Sequence, residues 1–247
     1  MNEFPFVKKV TDESVAIKES ITVTKRTYYS ISHVQASAQF ARLSAKIERT
    51  YEKRSDEVFH EHRAYVTGSI FASVSFLEAT INELFADTVD NLEAVKQLNP
   101  EVRALMADMW KLKVPRTARY STLEKFQIAL ILARKQQFDT GQSPYQDVAL
   151  LVELRNALVH YEPEWVTTIS EAEPEAVTIQ KLEKKLEGKF QLNPMTGEGD
   201  TFFPDRCLSH GCAKWAVTSS VKFADEFFSR MGLPPPYDHV RSRMKTE

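Results

Sequence analysis

A chain of 247 residues, 43% of them hydrophobic, can bury a sizeable core as one large domain. Only 7 glycines, in a background rich in Ala, Leu, Glu, Lys and Phe, favour helices over a many-stranded sheet. A formal net charge of −2 excludes a polycation, so any nucleic-acid contact has to come from a local patch.

Residues 1–32 mix charged side chains with a short alternating run, Ile21 to Thr24, and read as an N-terminal arm or one edge strand. No apolar signal-peptide core opens the chain, and the longest weakly polar stretch, Val66 to Leu77, is too short to cross a bilayer. Cys207 and Cys212 are too few for a disulfide framework and fit a reducing compartment. A cytoplasmic protein with no membrane contact is therefore expected.

The helical domain is expected over 33–247. His33 to Lys53 carries Val34, Phe40, Leu43 and Ile47 at helical spacing. Ser55 starts a long helix to about Asn91, with Ile70, Val74, Leu77, Ile81 and Leu84 as one core stripe. Gly68, Ala72, Ser75, Ala79 and Ala86 make a second stripe of small residues, which lets a neighbouring backbone come close. Glu78 lies at the edge of the core stripe, flanked by Phe71 and Phe85, with Asn82 one turn on.

Pro100 opens a further helix to about Lys111. From Lys111 to Lys135 there are seven basic residues against one acid, Glu124, and the segment around Lys111, Lys113, Arg116 and Arg119 reads as an RNA-backbone contact or as a solvated helix face. Ser121 starts the next helix, which runs to Phe138.

The stretch from Asp147 to Trp165 reads as a central helix running into a proline stop. At about 100° per residue, Glu153, Asn156 and His160 share a polar strip, and Leu151, Leu154, Leu158 and Tyr161 an apolar one. Arg155 falls inside the apolar arc, where a guanidinium is costly unless paired or used. Glu78 is its expected counter-ion. Residues 163–204, polar and acidic with a charged helix near Ile179 to Lys189, read as an insertion carried on the bundle. Pro204 to Met231 is the closing helix, stopped by Gly232, and 237–247 is expected to be a flexible tail.

The run Leu154-Arg155-Asn156-Ala157-Leu158-Val159-His160 resembles the R-x4-H signature of HEPN-domain proteins, with Asn156 as the polar residue after the arginine. The stretch Phe71 to Asn82 is similar to an early helix of that family, and the likeness covers roughly 35–165 plus the final helix. What it implies is an all-α HEPN-like bundle, acting as a homodimer and a metal-independent endoribonuclease that needs no cofactor. His160 would serve as general base or acid, and Arg155 would hold the scissile phosphate. Asn156 would orient the histidine or a phosphate oxygen, with Glu78 and Asn82 in support. The products would be a 2′,3′-cyclic phosphate and a 5′-hydroxyl. The family setting also suggests a toxin or defence effector, held by an antitoxin or another regulatory protein.

Five residues separate Arg155 from His160, so on an ideal helix they diverge by about 140°. They meet on one phosphate only if the arginine wraps around, the last turn distorts, or two chains combine. The rival expectation is a non-catalytic HEPN-like scaffold that dimerises through the same face. Tyr161 reads as core packing. His60 and His62 point apart on a helix, and Cys207, His210 and Cys212 are badly spaced for zinc, so no metal site is expected. Phosphate-binding loops, dinucleotide fingerprints and nucleophile elbows are absent from the sequence.

Overall fold

A computed structural model describes residues 26–52, 55–116, 120–161, 176–197 and 199–247. Among them the regular elements are all helical: α1 (Tyr29–Thr50), α2 (Asp56–Val89), α3 (Pro100–Lys111), α4 (Thr122–Leu132), α5 (Tyr145–Val159), α6 (Ala176–Leu186) and α7 (His210–Met231). The run Ile21 to Thr24 lies outside the described residues.

Local chemistry explains the boundaries. The Ser55 hydroxyl accepts from the Val58 amide at the start of α2, where Asp56 and Glu57 face the positive helix end. Asn99 caps α3, with Pro100 in its first turn. Ser121 and Glu124 form a reciprocal capping box on α4. Ser209 caps α7, and Gly232, at φ 72°, closes it in the left-handed region.

At 34 residues, α2 is the axis of the molecule and packs against α1, α3, α4, α5 and α7. It is long and apolar enough to cross a bilayer by length and composition, which the 66–77 reading did not anticipate. Half of its most apolar window is buried against neighbouring helices.

The α1–α2 contact is a small-residue seam. On α1 the buried set is Ser30, Val34, Ser37, Ala38, Ala41, Ser44 and Ala45, while Phe40, Leu43 and Ile47 are only partly buried. The Ser69 hydroxyl of α2 donates to the Ser37 carbonyl across it at 2.9 Å. Close backbone approach joins these helices along the seam, and Phe40 of α1 stacks on Tyr65 of α2 beside it.

Two apolar clusters share α2 and α7. One gathers Phe76, Leu77 and Ile81 of α2 with Phe126 and Leu130 of α4 and Phe223 and Phe227 of α7. The other gathers Val66, Ile70 and Val74 of α2 with Leu151 and Leu154 of α5, Leu182 and Leu186 of α6, and Cys212 and Ala216 of α7. The latter half of the 163–204 segment is thus part of the core, whereas 162–175 lie outside the described residues.

Two expected boundaries change. The closing helix starts at His210, because 202–206 form a separate tight turn ahead of the Ser209 cap. Residues 237–247, expected to be a flexible tail, are docked instead. Tyr237 is buried edge-on against Phe76 and Phe228, its hydroxyl donates to Asp225, and Val240 is buried beside it. Arg42 of α1 donates to the carbonyls of Arg243 and Lys245. The charges of this segment conceal its apolar anchors.

Candidate functional site

Where the two clusters meet, one face of α2 is left partly uncovered. Phe71, Val74, Ser75, Glu78, Ala79 and Asn82 recur on that face with helical spacing. With His33 of α1, Thr122 of α4 and Arg155 and Val159 of α5 they line a cleft of ≈ 640 Å³, within the usual range for small-molecule sites. The small side chains of Ser75 and Ala79 leave the room.

Inside the cleft the charges are distributed unexpectedly. Glu78 is not the counter-ion of Arg155. Its carboxylate accepts from Lys125 and Asn82 through Oε1 and from the Thr122 hydroxyl through Oε2. Lys125 sits on the core-facing side of α4, only 5% exposed, among Thr122, Leu123, Phe126 and Ala129. A buried ammonium must be paired, and it takes Glu78. Burial pushes the Glu78 carboxyl up, but hydrogen bonds from Lys125 and Thr122 and the lysine's charge outweigh this and hold it below the usual range.

Arg155 is left without a carboxylate among the described residues. It is half-buried, its Nε is enclosed, and that N–H has no hydrogen-bond partner among the described residues. Asn82 donates its amide N–H to Glu78, which leaves its buried Oδ1 without a donor. An enclosed donor and an enclosed acceptor, both unmet among the described residues, therefore belong to residues of one cleft, beside the Lys125–Glu78 ion pair.

No family model, curated protein or solved structure gives a significant match to this chain. What the site can do is read from its geometry.

The helix carrying Arg155 ends sooner than expected. α5 stops at Val159, and His160 is its C-cap residue, at φ −105° and ψ 37°, with its amide donating to the Asn156 carbonyl. The backbone therefore leaves helical geometry at the histidine itself. Asn156 and His160 are both exposed, and neither lines the cleft. The structure brings Arg155, Glu78 and Asn82 together but leaves Asn156 and His160 outside, on the open end of the same helix. Beside them Val159 is 50% exposed and Tyr161 46%, the latter touching Phe203 with one ring face. Glu153, on the same polar strip, is bound by Lys185.

The basic segment lies apart, at the end of α3. Lys111 is exposed beside Asp108, Lys113 is exposed at φ 63°, and Arg116 stacks over Trp110 at 4.7 Å. Arg119 lies outside the described residues. Lys125, counted in the basic run, faces the core.

Sequence reasoning missed Lys125, Thr122 and His33. The signal for Lys125 was present: it stands between Thr122 and Ala129 on the buried stripe of α4, an anomaly of the same kind as Arg155. For His33 there was none beyond its place on α1. Cys207 and Cys212 are free and buried, and burial pushes the Cys207 thiol up to about 12. Among the described residues no group of three or more His, Cys, Asp or Glu is placed to hold a metal ion.

Proposed function

We propose that the end of α5 is the RNA-cleaving centre of a HEPN-type endoribonuclease that works as a homodimer without metal. The observation that carries this reading is Arg155: a guanidinium at an open cleft, with no carboxylate among the described residues, because Lys125 occupies Glu78. An unpaired arginine at a cleft is matched to a phosphate, which it can grip through two N–H groups at once. His160, exposed at the helix end a few residues on, supplies an imidazole, a side chain able to accept and donate a proton.

In this reading His160 takes the proton of a ribose 2′-hydroxyl. The 2′-oxygen attacks phosphorus, the bond to the 5′-oxygen breaks, and the leaving oxygen takes a proton from water, to which His160 then returns its own. Arg155 stabilises the charge that grows on the phosphoryl oxygens. The products are a 2′,3′-cyclic phosphate and a 5′-hydroxyl. Asn156 is assigned to orienting the histidine or a phosphate oxygen. Lys111, Lys113, Arg116 and Arg119 are assigned to the RNA backbone.

The test is incubation of wild-type, Arg155→Ala and His160→Ala protein with mixed RNA in EDTA, followed by analysis of product ends. Wild type is expected to leave cyclic-phosphate ends, and each variant to lose at least about 10²-fold in rate with its fold intact. Cleavage by both variants at the wild-type rate, or none by folded wild type, sinks the nuclease reading. A second reading then takes its place, an interaction module dimerising through the exposed Val159 and Tyr161. It expects the two chains to associate with no RNA cleaved.

A further inference from the structure

About two turns along α5 from Arg155, a second groove of ≈ 340 Å³ opens between the start of α5, the α6–α7 connection and α7. Trp215, Thr218, Ser219 and Lys222 line it from one face of α7, at the spacing that brings helix side chains together. Asp147 enters from the first turn of α5. Gly188, at φ 73°, turns the chain after α6, and Lys189 beyond it donates to Asp147 at 2.9 Å.

This groove holds donors that the described residues leave unused. Trp215 is only 9% exposed and Ser219 only 8%. Thr218 and Ser220 turn their hydroxyls back onto carbonyls of α7. Among the described residues the Ser219 hydroxyl and the Trp215 indole N–H have no hydrogen-bond partner. Neither atom is sealed in as Arg155 Nε is, so a ligand in the groove can reach both. The Lys222 ammonium has the Ser143 hydroxyl at 3.4 Å and, among the described residues, no carboxylate. Asp147 does not meet that need, because its carboxylate accepts from Lys189 and Ser143. Burial pushes Asp147 up, but these hydrogen bonds and the charges of Lys189 and Lys222 outweigh it and hold the group below the usual range. Two lysines and one ionised aspartate leave a single positive charge over.

We propose that this groove binds a singly charged carboxylate, whose oxygens accept from Lys222, Ser219 and the Trp215 indole. An indole N–H and an ammonium can only donate, so the occupant has to bring acceptors. A neutral ligand leaves the Lys222 charge unmet, and a cation meets an aspartate that Lys189 already holds. Doubly charged phosphate brings more charge than the site balances, with Asp147 opposing it. A strand of RNA carries a further charge past that aspartate with every phosphate. The carboxylate can belong to a small acid or to the C-terminus of a polypeptide, since the chemistry is the same. The site uses neither Arg155 nor His160, so it stands or falls apart from the proposed nuclease.

The experiment is NMR titration of the isotope-labelled full-length protein, following the Trp215 indole N–H. Its resonance is the one lost in Trp215→Phe. The probes are butyrate, its uncharged counterpart butyramide, inorganic phosphate, and an acetylated tetra-alanine peptide with a free or an amidated C-terminus. Butyrate is expected to shift the resonance saturably, and butyramide at the same concentrations to leave it in place. Lys222→Met, at an exposed position, is expected to weaken butyrate binding at least about tenfold, the size of one charge-assisted contact. Asp147→Asn removes the opposing charge and should tighten butyrate at least about threefold and admit phosphate. Thermal melts show that each variant is folded.

Folded wild type that responds to neither butyrate nor the free-ended peptide overturns the proposal. So does an equal response to butyramide, phosphate bound as tightly as butyrate, or a Lys222→Met protein that binds butyrate as wild type does. Tighter binding of the peptide, lost on amidation, identifies the occupant as a polypeptide terminus. Tighter binding of butyrate identifies it as a small acid.

Discussion

Two carboxylates of α2 meet burial in opposite ways, and the difference lies in their partners. Glu78 has a buried ammonium and a hydroxyl donating to it, so its charged form wins despite desolvation. Asp87 is pushed up by burial, and the charge of Arg26 and the Tyr28 hydroxyl bring it only part of the way back, leaving it at about 6 with Glu83 adding to the rise. The sign of the consequence follows. Between about pH 4 and pH 6 the folded chain holds a proton at Asp87 that the unfolded chain has released, so stability from this group falls as pH rises through that window. An asparagine has no such titration. The Tm advantage of Asp87→Asn over wild type should therefore be larger at pH 7.5 than at pH 4.5, whatever its absolute size. Parallel melts at the two values decide it, and an advantage that is flat or larger in acid would count against a raised Asp87.

The joints between elements rest on what two glycines leave out. A β-carbon at Gly211, in the first turn of α7, would stand 2.5 Å from the Gln191 carbonyl oxygen and 2.9 Å from its amide nitrogen. The Ser209 hydroxyl donates to that same carbonyl, so the segment leaving α6 is fixed to the start of α7 by a bond and by close approach. Backbone cannot step aside, so Gly211→Ala should cost about 1–3 kcal/mol. At Gly68 the atoms nearest the β-carbon would be those of the Phe40 ring, at 3.0 Å. There a small rotation of the ring offsets against the up to about 1 kcal/mol that alanine brings to a helix interior. Denaturant titrations should show a clear loss for Gly211→Ala and little for Gly68→Ala, and equal losses would contradict this account. The contrast also marks what the sequence could tell. Spacing along α2 identified its core stripe, because a helix repeats its faces every few residues, but Ser75 and Ala79 of the small-residue stripe, expected to admit a neighbouring backbone, line the cleft instead. Spacing also singled out Arg155 as a charge in an apolar arc. It could not tell which of two cations, Lys125 or Arg155, would take Glu78, since that depends on how α4 and α5 pack on α2. Nor could it place Tyr237 in the core, with a charged segment around it and its apolar partners far along the chain.

At the scale of the whole molecule the question is how Arg155 and His160 can serve one phosphate. Within a chain Arg155 faces the cleft, while His160 stands at the exposed helix end and does not line it. Val159 and Tyr161 flank the histidine with apolar surface that the described residues leave exposed. Two copies meeting there by a two-fold axis would cover that surface and bring the histidine of each toward the arginine of the other. The proposed nuclease then has two composite sites per dimer. Arg155→Ala and His160→Ala homodimers each lack one member of both sites, and both should be inactive. A heterodimer of the two variants, purified through different tags, keeps Arg155 on one chain and His160 on the other. One of its two composite sites is whole, so it should cut RNA at about half the wild-type rate. If each chain instead supplied both residues to its own site, the heterodimer would hold no whole site and would be as inactive as its parents. The measured rate of that one species thus separates a shared centre from a private one.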